Sequence, residues 1–370
     1  MGKSNPFPCD FTPSNDPASY MAQLFPKRLV AQCRQKSLAN HDLAAYHTNA
    51  SVDDLNDLRA ALGYRTMVLS GGSYGTFFSL VYLRRHPDTV ASMVLDAVDP
   101  PGFQVVPGEP MGAQKALDDL FTKCRTNARC GARYPHFPQE FRSVLARFDR
   151  GPVIVPAENV LTKRTVRVAL TKDVLVDQIR HLLYDPFPAS YLPYAIHRAY
   201  AGNYMPLSQM VQAAAVLLVG DLNQGAFLSY SCSDWMPFIS PAALAYARAH
   251  SFAGDLRVRA QQIACKTWGV PAMPASFNEP VRSAKPVLML LGSDDPGTPP
   301  QYGQKALKYL PNGRAVLIKG AAHGADNDCT DNLVVQFVRN GSAKSLNVNK
   351  CTATFALPPF ATSMKGWPSL

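Results

Sequence analysis

A chain of 370 residues, 47% hydrophobic and 17% charged, is built to bury a large core, which excludes a disordered protein and leaves room for one or two domains. Its formal charge of +10 is not gathered into a basic tract interleaved with aromatics, zinc-finger spacing or a Lys/Arg helix stripe, so it reads as a solvated surface with no nucleic-acid partner. No apolar run reaches the length of a membrane span, and the longest candidate, Val211 to Gly220, reads as a buried helix.

The N-terminus, MGKSNPFPCD, has one lysine and no apolar centre, unlike a signal peptide, and Asn5 and Pro6 argue against lipidation at Gly2. Ser4 to Pro13 reads as loop. Tyr20 to Gln35 reads as a helix carrying Cys33. Ser51, with Asp54 three residues on, reads as the cap of a helix that presents Leu55, Leu58 and Leu62 on one face and ends at Gly63. Met67 to Leu69 is a short buried strand, and Ser70-Gly71-Gly72 allow a tight reversal into Ser73. Phe77 to Leu83 reads as the next helix, with Arg84, Arg85 and His86 at the negative end of its dipole and Pro87 as its stop. Val90 to Leu95 is a second strand, and Asp96 to Gly102 a loop.

From there to Lys285 helical periods dominate: Gly112 to Phe121, Pro138 to Phe148, Lys172 to Leu183 capped by Thr171, Leu192 to Tyr200, Ser208 to Val219 and Ala242 to His250. Val153 to Val155 and Val166 to Leu170 form a candidate strand pair. The α/β pattern resumes with a strand at Val287 to Leu291, a turn at Gly292 to Pro296, a helix at Pro300 to Leu310, a strand at Ala315 to Ile318 and a closing helix from Asn332 to Asn340. The division is therefore an α/β core over residues 1–100, a helical cap over 101–285, the rest of the core over 286–345, and a tail over 346–370.

Ser73 stands in Gly71-x-Ser73-x-Gly75, between a strand and a helix, the pattern of a nucleophile elbow. The serine there takes strained backbone angles, so both glycines are expected to be small. The helix start aims its N–H groups, Tyr74 first, at a developing oxyanion. An acyl-transfer site also needs a base and a group that orients it. Asp295 and His323 each follow a predicted strand, and Ser–Asp–His is the chain order of elbow-type hydrolases. Three such positions meet at the carboxyl edge of one parallel sheet. The other histidines, at 41, 47, 86, 136, 181, 197 and 250, have no such strand-end setting. A serine at the elbow excludes chemistry that needs an aspartate nucleophile, and nothing in the sequence calls for a cofactor or metal.

Eight cysteines, spread as four sequence-adjacent pairs without zinc-ligand spacing, suggest disulfides and an oxidising compartment, with the pairing open beyond a bond between Cys329 and Cys351 that would hold the tail. At this point the chain resembles serine peptidases of the α/β-hydrolase fold, the prolyl aminopeptidase and secreted tripeptidyl aminopeptidase group. The residues that carry the resemblance are Gly71-Gly72-Ser73-Tyr74-Gly75-Thr76, Leu95-Asp96, Asp295-Pro296-x-Thr298-Pro299-Pro300, Gly320-x-x-His323-Gly324, and Cys351 with Pro358-Pro359-Phe360. Cys232-x-Asp234 and Cys265-x-x-Trp268 resemble a cysteine pair of that group's cap.

The resemblance implies an α/β-hydrolase fold with a helical cap, cleavage of short peptides from a free N-terminus, and an extracytoplasmic location. An esterase of the same fold and a catalytically silent binding module are the alternatives. Asp234 is a candidate partner for the substrate ammonium, with a structural aspartate as the plainer reading. The group's His-Gly-Gly-Pro-Gly-like loop, which supplies a second oxyanion N–H, has no counterpart here, and Met1 to Pro6 resembles a later stretch of the group's pattern. The expectation is therefore a fold lacking its first strands, with the elbow strand at an exposed edge and Tyr74 N–H alone at the oxyanion.

Overall fold

The computed structural model describes residues 7, 9–13, 15–216, 222–349, 351, 355 and 357–368. The expected loop at residues 4–13 falls partly, and the end of the helix expected to Val219 wholly, outside them. In chain order the first elements are α1 (Pro17–Ala22), α2 (Lys27–Ser37), α3 (Thr48–Ala61), β1 (Met67–Gly72), α4 (Tyr74–Arg85) and β2 (Val90–Asp96). Then follow α5 (Val105–Thr126), α6 (Ala128–Arg133), α7 (Phe137–Phe148), β3 (Val153–Glu158), β4 (Thr165–Leu170), α8 (Lys172–Leu182), α9 (Pro186–Tyr200) and α10 (Met205–Ala214). The rest are α11 (Gln224–Asp234), α12 (Pro241–His250), α13 (Leu256–Trp268), β5 (Val287–Gly292), α14 (Pro300–Ala306), β6 (Gly313–Ile318) and α15 (Asp328–Asn340).

Strands β1, β2, β5 and β6 form one parallel sheet in the order β1-β2-β5-β6. Their residues alternate between two cores, as the period of two requires. Met93, Leu95, Met289 and Leu291 pack with Leu80 and Leu83 of α4 on one face. Val94, Leu288, Leu290, Val316 and Ile318 pack with Leu333 and Phe337 of α15 on the other. The register pairs Gly72 with Asp96 and Gly292 with Ile318, so the strands reach one carboxyl edge together. Among the described residues β1 is an outer strand, with its Val68 exposed.

A third core joins helices α5, α7, α8, α9 and α10 with the antiparallel pair β3–β4. Tyr20, Met21 and Leu24 pack into it, and a fourth core sets Val30 and Cys33 of α2 against Leu228, Cys232 and Trp268. The first two helices thus pack with the helical layer rather than with the sheet. All four sequence-adjacent cysteine pairs are disulfides: Cys9–Cys33, Cys124–Cys130, Cys232–Cys265 and Cys329–Cys351.

Several local expectations are corrected. The helix expected over Tyr20 to Gln35 is broken, because Phe25 sits at φ 51° and Pro26 has no N–H to continue a ladder. The cap of α3 is His47, whose ring accepts from the Ala50 N–H; Ser51 lies inside the helix and bonds Tyr230 Oη at 2.5 Å. Leu58 of that helix and Leu62 at its C-terminal cap face solvent. The helix from Pro300 stops at Ala306, and a 3₁₀ turn replaces its last residues. Helices α11 and α13 are not foreseen by the sequence reading.

Candidate active site

Ser73 follows β1 at φ 54° and ψ −124°, backbone angles that L-residues avoid. Its N–H donates to the Asp96 carbonyl at 3.0 Å, which fixes it against β2. A side chain at Gly71 would overlap the Gly75 carbonyl, so strand and helix come this close only with glycine at 71. Gly75 is different, and the expectation that it too must be small is corrected: a Cβ there would meet no atom within 4 Å. The close approach is made by the strand residue against the first helical turn, and the Cβ direction at 75 points away from it. Helix α4 opens at Tyr74, whose N–H has no acceptor among the described residues, as expected of a first-turn donor.

His323 lies past β6, with its N–H donating to the Tyr184 carbonyl at 3.0 Å. Its Nε2 is 2.8 Å from Ser73 Oγ. Its Nδ1 is 2.9 Å from Asp295 Oδ1 and 3.1 Å from Oδ2. Asp295 is buried and accepts further from the N–H groups of Gly297 at 2.8 Å and Thr298 at 2.9 Å, and from Thr298 Oγ1 at 2.7 Å. A carboxylate so bonded is a pure acceptor, so the imidazole proton sits on Nδ1 and the Nε2 lone pair faces the serine hydroxyl. Two contacts bring the histidine loop to the sheet. A side chain at Gly292 would overlap the carbonyls of Ala321 and Ala322, and the Ala325 N–H donates to Asp96 Oδ2 at 3.0 Å.

The structure thus brings Ser73, Asp295 and His323 together, with the Tyr74 N–H beside them. They open on a cavity of about 420 Å³ between the carboxyl edge of the sheet and the helical layer. Asp234 is not brought there. It is fully buried at the end of α11, and its Oδ2 accepts from the Thr48 N–H at 3.0 Å and Thr48 Oγ1 at 2.6 Å.

The cavity wall carries charged groups that the sequence reading passes over. Glu109 pairs with Arg180 at 3.1 Å, and Arg180 with Asp177 at 3.0 Å. His181 also lines the wall; burial and the adjacent Arg180 charge bring it down to about 3, so it stays neutral. Asp99 lines the cavity too, and its carboxylate has no hydrogen-bond donor among the described residues. Burial and the nearby Glu109 charge push it up to about 7, with His323 opposing. Burial alone would pull His323 down, but the charge and hydrogen bond of Asp295, with Glu109 and Asp96 behind, set it above its ordinary value. Asp99 has one sequence signal, its place just past a strand end. Glu109 and Arg180 have none, because only tertiary packing turns those helix positions inward.

Two family models match the chain. A model described as "alpha/beta hydrolase fold" matches residues 19–122, and one described as "TAP-like protein" matches residues 250–351. The serine protease Hip1 of Mycobacterium tuberculosis is 32% identical over 107 residues, 28% of this chain and 20% of that protein, and Hip1 of Mycobacterium bovis gives the same figures. The matched segment spans a fifth of the length of those relatives. Among solved structures, the proline iminopeptidase of Mycobacterium smegmatis is 14% identical with a TM-score of 0.34, covering 82% of this chain and 74% of that one. A thermophilic esterase from Thermogutta terrifontis is 15% identical with a TM-score of 0.32, covering 80% and 73%. The fold is the α/β-hydrolase fold: a mostly parallel sheet flanked by helices.

Proposed function

We propose that the chain is a serine hydrolase that cuts amide bonds in short peptides with a free N-terminus. Ser73 Oγ attacks the carbonyl carbon as its proton passes to His323 Nε2. The new oxyanion meets the Tyr74 N–H and the positive end of α4. Asp295 holds the imidazolium without taking its proton. The C–N bond breaks as His323 returns the proton to the leaving amine, and the acyl group stays on Ser73. Water, deprotonated by His323, then releases the acid and restores the serine.

The observation that carries this reading is the unbroken line Ser73 Oγ–His323 Nε2, His323 Nδ1–Asp295, starting at a strained elbow residue and opening on the cavity. A peptide with a free amine is favoured by Asp99. Above about pH 7 it is a carboxylate with no hydrogen-bond donor among the described residues, in the same cavity as the nucleophile, and is complementary to a substrate ammonium. The likeness to a serine protease, Hip1, supports peptide over ester substrates. The four disulfides support an oxidising, extracytoplasmic setting.

A fluorophosphonate probe tests the nucleophile: it labels the protein and fails on Ser73→Ala. Aminoacyl and tripeptidyl amides, their N-acetylated forms and simple esters test the substrate. Free-amine amides are expected to react best. Turnover of esters alone assigns the chain to esterases.

A further inference from the structure

We infer that Asp234 and Thr48 are positioning residues that hold the oxyanion donor through the side chain of Tyr74; this rests on the serine-hydrolase reading above. Thr48 Oγ1 lies 2.6 Å from Asp234 Oδ2 and 2.9 Å from Tyr74 Oη. The Thr48 N–H donates to the same Asp234 oxygen at 3.0 Å. Burial pushes Asp234 up to about 6 against the two Thr48 hydrogen bonds, so at neutral pH it is ionised and takes the one proton of the Thr48 hydroxyl. Thr48 therefore accepts from Tyr74, and the order Tyr74 O–H to Thr48 O–H to Asp234 is fixed. Thr48 and Asp234 are wholly buried, so water does not compete for these bonds.

The same Tyr74 supplies the N–H at the start of α4. That N–H belongs to the peptide joining it to Ser73, the residue at φ 54°. A strained peptide keeps its orientation only where both sides are held. On the Ser73 side the bond to the Asp96 carbonyl does this. On the Tyr74 side the phenol is held at its tip by Thr48, and its ring packs edge-on against Trp235 at 5.6 Å and tilted against Tyr230 at 5.8 Å. Asp234 and Trp235 close α11, which Cys232–Cys265 ties to α13. The helical layer thereby fixes the direction of a donor on the sheet.

Removing an oxyanion donor costs on the order of a hundred- to a thousand-fold in rate. Here the donor remains and only loses its brace, so about 10- to 100-fold in kcat is expected from Thr48→Val and from Tyr74→Phe. KM for an amide substrate stays within about 2-fold and the melting temperature shows the variants folded, whereas Thr48→Ser, which keeps the hydroxyl, restores kcat to within about 3-fold. Asp234→Asn falls between. A folded Thr48→Val with unchanged kcat overturns the inference, as does a loss carried entirely by KM or one that Thr48→Ser does not rescue. Failure of the underlying reading looks different: no fluorophosphonate label at Ser73, and Ser73→Ala turning over as fast as the parent.

Discussion

The proton inventory around His323 decides how the site responds to pH. To accept from Ser73 the imidazole must be neutral, and Asp295 holds it above its ordinary value against the pull of burial. With the folded-state value raised, the base is lost as pH falls through a point above 6.5, so kcat/KM is expected to have an acid limb displaced upward from that of a free imidazole. Asp99 adds a second titration of the same sign. Pushed up to about 7, it gains a proton as pH falls and can no longer attract an ammonium. For free-amine substrates KM should therefore rise on acidification through about pH 7, while N-acetylated substrates show only the kcat limb. A pH–rate series on the two substrate forms checks both. Equal KM profiles remove Asp99 from recognition. The elbow gives a sharper contrast. Gly71→Ala drives a methyl into the Gly75 carbonyl and should abolish activity, whereas Gly75→Ala meets no neighbour and should fold and label with fluorophosphonate like the parent.

At the scale of elements, β1 and α3 leave apolar side chains uncovered. Val68 on the outer strand, with Leu58, Leu62 and Tyr64 on and after α3, is exposed. Exposed apolar side chains beside a strand edge that no described residue pairs favour self-association. Leu58→Glu with Leu62→Glu should leave the melting temperature nearly unchanged and reduce aggregation in light scattering. An unfolded double variant would show that the face is needed. These leucines also show where sequence reading stops. Their spacing marks one face of a helix, but spacing does not say whether anything covers that face. Strands were legible because β2 and β5 are apolar on both faces, and the elbow because glycine, serine and strand ends are local signals. The cap at His47 was not, because a histidine accepting from the Ala50 N–H looks like any loop residue. Helix α11 was hidden because it is buried on several sides, so its apolar residues mark no single face, and α13 because its buried side carries Gln261 while Ile263 faces solvent. Asp234 could be picked out by its neighbours in sequence, but its partner Thr48 is 186 residues away, and only the fold joins them.

Across the whole molecule two layers meet at one cavity, and the disulfides do not all bear on that meeting. Cys232–Cys265 closes a separation of 33 residues, two positions before Asp234, while Cys124–Cys130 closes 6 at the end of α5. In the chain-entropy account the first contributes about 4 kcal/mol and the second about 2 kcal/mol. If the helical layer sets the Tyr74 N–H through Asp234 and Thr48, loosening α11 should reach the chemistry, and loosening α6 should not. Replacing Cys232 and Cys265 by serine should lower both the unfolding midpoint in urea and kcat, by about 10-fold or more in kcat, with KM nearly kept. Replacing Cys124 and Cys130 should lower the midpoint less and leave kcat as it was. Stability and turnover measured on the two double variants separate a stability effect, which would scale with loop length in both, from one routed through α11. Losses of kcat that follow the fall in midpoint in both variants would mark a stability effect alone, and none in the Cys232–Cys265 variant despite its lower midpoint would show that the sheet alone orients the donor.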